Sequence, residues 1–134
     1  MELVFVYGTL KQGFSNHGLL KQSKLIGVAQ TKEKFVMYSN GIPYVSKRFK
    51  SSYISGEVYS VSNDTMYNLD ILECHPEWYV RSKTSVEVID RKGKLITVDA
   101  WLYFNEHIPQ NATLIDSGIY GQNKASRLNS LLLW

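Results

Sequence analysis

Cys74 is the only cysteine among 134 residues, so the chain can form no intrachain disulfide and must be held by its core. Three prolines, and no Pro/Gly-rich linker, repeat or low-complexity tract, leave nothing to divide it, and residues 1–134 read as a single domain. No apolar run approaches the ~20 residues of a membrane-spanning helix, so no membrane partner is expected. Glu2 stands ahead of a short apolar run, where a secretory leader carries a basic flank and a longer one, which points to a cytoplasmic location. "NDT" at residue 63 and "NAT" at residue 111 are then chance matches to the glycosylation pattern. Charge of one sign is missing as well. Fifteen Lys and Arg against 12 Asp and Glu leave only +3, with the basic residues scattered, so no nucleic-acid partner is expected. His17, His75 and His107 show no ligand spacing, so no metal is expected either.

Apolar surface, by contrast, is plentiful. Hydrophobic residues make up 44% of the chain, enough for a real core and incompatible with a disordered one. The run "LVFV", Leu3 to Val6, has no polar face and reads as a central strand buried on both sides. "NHGLLKQ" is a short helical turn, "KLIGVAQTKEKFVMYS" (24–39) one or two strands, and "YISGEVYSV" (53–61) a strand in which Gly56 marks a bulge or a close approach. "TSVEVIDRKGKLITVDAWLYF" (84–104) reads as a β-hairpin with glycine in its turn. Ile96, Val98, Ala100, Leu102 and Phe104 face inward there, while Trp101 and Tyr103 leave the outer face apolar and in need of cover. The tail "LNSLLLW" is one candidate for that cover, a partner contact another. Many strands with one clear helix predict an α+β domain built on a strongly curved sheet or small barrel.

Two local features carry chemistry. The first is "YGTLKQGFSN" (7–16), where the chain leaves the buried strand abruptly at Gly8. "GTLKQG" has the spacing of a phosphate loop, but Phe14 stands where that motif requires lysine, which argues against nucleotide hydrolysis. Two readings remain: a plain connecting turn, or successive N–H groups forming a concavity for a carboxylate. The second is "SNDTMYNLDILE" (62–73), which opens with helix-capping residues. Met66, Leu69 and Glu73 share one helix face at i, i+3, i+7, so a carboxylate stands where an apolar residue belongs. Either the helix has ended and Glu73 enters solvent, or it is a desolvated acid/base group with a raised pKa. Cys74 and His75 are adjacent and project apart, so they read as a small buried thiol and a helix-terminal histidine, not as a catalytic pair. Pro76 ends the helix near His75, and "PEWYVR" brings Tyr79 and Arg81 back to the sheet. Tyr79 is either packing or a hydrogen-bond donor beside Glu73. "DSGIYG" (116–121) is a loop or a lid.

Together "VFVYGTLKQGFSNH", "GEVYSV", "LDILECHPEWYVR" and "DSGIYG", in that order along the chain, resemble the gamma-glutamylcyclotransferase-like family. The first segment is most similar to the gamma-glutamylamine cyclotransferases within it. The resemblance implies an α+β fold, a small, mostly antiparallel β-barrel with flanking short helices, and a cavity beside the Tyr-Gly-Thr-Leu loop. It implies release of 5-oxoproline from a small-molecule gamma-glutamyl substrate, with no cofactor. On that pattern Tyr7, Gly8, Thr9 and Leu10 hold the glutamyl group and Glu73 is the acid/base. Tyr79 is a candidate donor to the oxyanion, and Ser117, Gly118 and Tyr120 are candidates for leaving-group contacts. "NGIPYVSKRFK" (40–50) is a loose match, whose Lys47, Arg48 and Lys50 either bias the leaving group or solvate a loop. The leaving amine, the pathway and the choice between monomer and weak homodimer stay open. A gamma-glutamyl-removing enzyme of a biosynthetic pathway and a non-catalytic binding module on the same fold are the alternatives. A salt-sensitive nucleic-acid binder is a distant third.

Overall fold

Phe5 sends its ring one way from β1 (Glu2–Val6) and Val4 and Val6 go the other, so this strand has no wet face. The computed structural model describes residues 1–121, in which β1 is joined by β2 (Lys24–Ser39), β4 (Ser52–Val61), β5 (Val80–Ile89) and β6 (Leu95–Phe104). These five form a ring in the order β2, β4, β1, β6, β5, closed by β5 pairing back on β2. Neighbours run antiparallel except β1 and β6, which meet in parallel at Val4 and Trp101. β3 (Pro43–Ser46) and β7 (Thr113–Leu114) pair with the far end of β2. The expected small β-barrel is therefore what the chain forms. Residues 24–39 are one strand of 16 residues, bent by register shifts after Leu25 and Gln30 so that it can serve four partners.

Alternation along the strands divides the core in two. Phe5, Ile54, Val58, Val86, Val88, Ala100, Leu102 and Phe104 fill the ring, while Val4, Val6, Tyr59, Val61 and Tyr103 point outward. That outer layer is covered by α1 (Asn63–Leu72), whose Met66 and Leu69 pack on it. Tyr103 bonds Asp70 of this helix and Trp101 lies under the Arg81 guanidinium, 4.2 Å from its ring centre, while the tail "LNSLLLW" lies outside the described residues. Ser62 caps α1, its hydroxyl accepting from the Thr65 amide at 3.1 Å. The helix stops at Leu72, with Glu73 as its cap, earlier than Pro76 requires. Cys74 follows with φ of 51° and is exposed, contrary to the buried thiol expected, because the turn after the helix swings its side chain off the packed face. Among the described residues no helix is long and apolar enough to cross a membrane.

Gly56 marks a close approach and not a bulge, since β4 keeps register with β2 there. A Cβ at this position lies 2.2 Å from the Val6 carbonyl oxygen and 2.8 Å from the Phe5 ring. The ring core therefore abuts bare backbone where β4 crosses β1. Gly56→Ala is expected to lower stability by about 1–3 kcal/mol through overpacking, read as the midpoint of urea unfolding. Gly18→Ala, where nothing lies within 4 Å of the added carbon, serves as the near-neutral control. Equal midpoints for the two variants would show that the strands can separate at no cost.

Candidate active site

β1 ends against Gly8 because the following residues cannot continue any ladder. Gly8 is buried, and a Cβ there lies 2.6 Å from the Pro43 ring, so only glycine lets the loop pass β3. The loop is then fixed by its own bonds. The Lys11 amide donates to the Gly8 carbonyl at 3.1 Å, the Asn16 amide to the Thr9 carbonyl at 2.9 Å, and Asn16 Nδ2 to the Thr9 hydroxyl at 2.9 Å. The Gln12 amide reaches the Glu57 carboxylate at 3.0 Å, which ties the loop to β4. Among the described residues the amides of Gly8, Thr9 and Leu10 donate to no acceptor. Three unpaired donors in one turn make an anion cradle.

That turn and Glu73 both line a cavity of about 260 Å³. The helix face that carries Met66 and Leu69 into the core carries Glu73 to the cavity, among Leu72, Trp78, Tyr79 and Tyr103. Its carboxyl makes no hydrogen bond to any described residue, and burial pushes its pKa up from 4.5 to about 7. The backbone on either side is held: the Glu73 amide donates to the Leu69 carbonyl at 3.0 Å, and its carbonyl accepts from the Tyr79 amide at 3.2 Å. Asp70, one turn earlier, clamps the helix end to the sheet. Arg81 donates to both its carboxylate oxygens, at 2.8 and 3.2 Å, and the Tyr103 hydroxyl adds a third bond at 2.7 Å. Burial alone raises the Asp70 pKa, but these donors outweigh it and hold the carboxyl below its usual value. Two acids three residues apart are thus driven in opposite directions, the one paired and the other desolvated.

Tyr7, Gly8, Thr9, Leu10, Glu73 and Tyr79 therefore line one cavity, brought together from β1, the end of α1 and the start of β5. Tyr79 does not offer its proton there: its hydroxyl donates to the Pro43 carbonyl at 2.7 Å, in a stack with Tyr44. Tyr7 likewise donates to the Tyr103 carbonyl at 2.6 Å. Burial, the largest cause, lifts both phenols above their ordinary pKa, with the nearby Glu73 adding to it. Tyr120 lies outside the lining of the cavity. Its hydroxyl donates to the Gly41 carbonyl at 2.6 Å and its carbonyl accepts from Lys11 Nζ at 2.9 Å, so it joins the loops behind two walls. Ser117 and Gly118 are also outside. The Gly118 carbonyl accepts from the Ser55 amide at 3.0 Å, and the Ser117 hydroxyl accepts from Ile119. Asn16, Pro43 and Trp78 line the cavity without having been singled out, because their placement depends on loops whose shape has no periodic signature. The Gly8–Pro43 contact in particular joins residues 35 apart.

The family model described as gamma-glutamyl cyclotransferase, AIG2-like, matches residues 4–122. A Methanocaldococcus jannaschii protein provisionally named a gamma-glutamylcyclotransferase is 49% identical over 122 residues, covering 90% of this chain and 96% of its own. Gamma-glutamylaminecyclotransferase C of Danio rerio is 35% identical over 100 residues, covering 68% and 66%. Among solved structures, a mouse AIG2-like protein superposes with a TM-score of 0.77 at 26% identity, covering 90% of this chain and 88% of that one.

A half-buried acid whose pKa desolvation raises from 4.5 to about 7 makes stability depend on pH. Below about pH 4.5 the carboxyl is protonated in both folded and unfolded chains and burial carries no penalty. As pH rises toward about 7 only the unfolded chain releases the proton, so this contribution to stability is lost. Relative to Glu73→Gln, the protein is expected to lose up to about 3 kcal/mol of stability across that window, measured by urea unfolding at pH 4.5, 6 and 8. A difference that stays flat would mean that the carboxylate remains solvated in the folded chain.

Proposed function

The chain belongs to the gamma-glutamyl cyclotransferase, AIG2-like family, and from that premise we propose that it releases 5-oxoproline from a gamma-glutamyl amine or gamma-glutamyl amino acid, with Glu73 as the acid/base. The observation that carries this reading is an unpaired, desolvated carboxylate and a turn of free amides that line the same small cavity. The cradle formed by Gly8, Thr9 and Leu10 suits the substrate α-carboxylate. Glu73 then stands to accept a proton from the α-ammonium.

The magnitudes favour this division of labour. An ordinary glutamate lies about 3.5 units below an α-amine, so moving the proton costs roughly 4–5 kcal/mol. With the Glu73 pKa at about 7 the gap falls to under one unit, roughly 1 kcal/mol. The freed amine attacks the gamma-carbonyl carbon of its own side chain. A C–N bond forms, protonated Glu73 gives its proton to the departing nitrogen as the amide C–N bond breaks, and the carboxylate so regenerated takes the second proton from the attacking nitrogen and passes it to the freed amine, leaving a neutral lactam and an ammonium. Because the reaction is intramolecular, holding amine and carbonyl in contact geometry lowers much of the remaining barrier. The Tyr7 and Tyr79 hydroxyls have their protons committed to backbone carbonyls, so neither is the donor to the oxyanion as they stand.

The test is 5-oxoproline release from a panel of gamma-glutamyl amines, gamma-glutamyl dipeptides and glutathione. Glu73→Gln is expected to reduce kcat by ~100-fold or more while KM changes little. For the wild type, kcat/KM should fall as pH drops below about 7, where Glu73 takes up its proton. Turnover of the Gln variant within tenfold of wild type would remove Glu73 from the proton transfer. No product from any member would remove the cyclotransferase reading itself.

A further inference from the structure

Four of the residues that line the cavity carry a hydroxyl: Tyr7, Thr9, Tyr79 and Tyr103. Three of these protons are committed. Tyr7 donates to the Tyr103 carbonyl at 2.6 Å, Tyr79 to the Pro43 carbonyl at 2.7 Å, and Tyr103 to the Asp70 carboxylate at 2.7 Å. The Thr9 proton goes to no acceptor among the described residues. It is the one hydroxyl proton in the cavity lining that a ligand can receive.

That hydroxyl is also held. Asn16 lines the same cavity and is tied to Thr9 twice, its amide donating to the Thr9 carbonyl and its Nδ2 to Thr9 Oγ1, both at 2.9 Å. The next residue repeats the pattern, His17 Nδ1–H donating to the Leu10 carbonyl at 2.9 Å, so residues 16 and 17 bond back to residues 9 and 10 in register. A hydroxyl oxygen has one proton to give and two lone pairs. With one lone pair filled by the Asn16 N–H, the Thr9 O–H bond cannot turn toward Asn16 without setting proton against proton. Rotation is thereby restricted to directions away from the side chain that fixes it.

We propose that the Thr9 hydroxyl, oriented by Asn16, is the donor to the oxyanion that develops on the gamma-carbonyl oxygen, with Asn16 acting as a positioning residue. This rests on the cyclotransferase reading. As the amine nitrogen bonds to the carbonyl carbon, the π pair of the C=O bond moves onto oxygen, and Thr9 Oγ1–H meets that charge with a hydrogen bond in which no proton is transferred. When the pair returns to re-form C=O, the amide C–N bond breaks. The amides of Gly8, Thr9 and Leu10 are left for the two oxygens of the α-carboxylate. Trp78 brings a further N–H to the lining, but its side chain is 39% exposed, and a donor in contact with water gains little from meeting a developing charge.

The test is steady-state 5-oxoproline release by Thr9→Val, Thr9→Ser, Asn16→Ala and the double variant of Thr9→Val with Asn16→Ala, on the gamma-glutamyl compound that the wild type turns over fastest. Thr9→Val keeps the branched side chain and the amide and removes only the donor, so kcat is expected to fall about 100-fold or more while KM changes by less than about threefold. Thr9→Ser restores the hydroxyl and is expected to stay within about fivefold of wild type. Asn16→Ala is expected to lower kcat about tenfold beside Thr9 but less than about twofold beside Val, where no hydroxyl is left to orient. If urea unfolding shows that Thr9→Val does not fold, Thr9→Ala carries the same expectation. Equal losses from Asn16→Ala in both backgrounds overturn the positioning role, since Asn16 then acts on the loop or on the substrate directly. A Thr9→Val enzyme that keeps its kcat, whether or not its KM rises, overturns the oxyanion assignment and leaves the cyclotransferase standing. No turnover of any gamma-glutamyl compound by the wild type overturns both.

Discussion

β1 is paired on one edge with β4 and on the other with β6, and it is packed on both faces, by the ring core and by the layer under α1. No direction is left in which the chain can continue as strand. It turns at Gly8, the one residue type that fits against Pro43, and in turning exposes amides that no ladder can use. The anion cradle is thus a by-product of making the first strand the centre of the sheet. The helix that leads to Glu73 follows from the same burial, because the outward-facing Val4, Val6 and Tyr103 require a cover and α1 supplies it.

The position of Glu73 is the point where folding and chemistry pull apart. A helix face that packs Met66 and Leu69 into the outer core also carries a carboxylate into a largely apolar cavity, and the desolvation that raises the Glu73 pKa to about 7 opposes folding near neutral pH. The clamp of Arg81 and Tyr103 on Asp70 holds the last turn of the helix, which leads to Glu73, against β5 and β6. Cys74, immediately after it, lies in left-handed backbone and faces solvent, so the chain passes from the cavity wall to an exposed turn within one residue.

Around this centre the polar side chains fall into two groups. Tyr7, Tyr79 and Tyr120 each give their proton to a backbone carbonyl, those of Tyr103, Pro43 and Gly41, and so brace the loops around the cavity. Glu73 and the loop amides keep free valence. A site in which most polar atoms are satisfied internally leaves few groups to meet a ligand, and those few define what the ligand can be.

Much of this was legible in residue order. The two-sided β1, the capped helix, the 84–104 hairpin and the misplaced acid at position 73 are local patterns, set by side-chain period, capping chemistry and turn residues, and each appears where those patterns put it. Family resemblance added barrel closure and the joining of the loop to Glu73, neither of which periodicity carries. Other features came only with the tertiary structure: the pairing of β5 back on β2, the exposure of Cys74, the commitment of the Tyr79 proton to Pro43, and the displacement of Tyr120 from the cavity. All of these depend on contacts between residues far apart in the chain or on loop geometry. Secondary structure is chosen by neighbours in sequence, whereas burial, and with it pKa and free valence, is decided by which distant segments come to lie against a side chain.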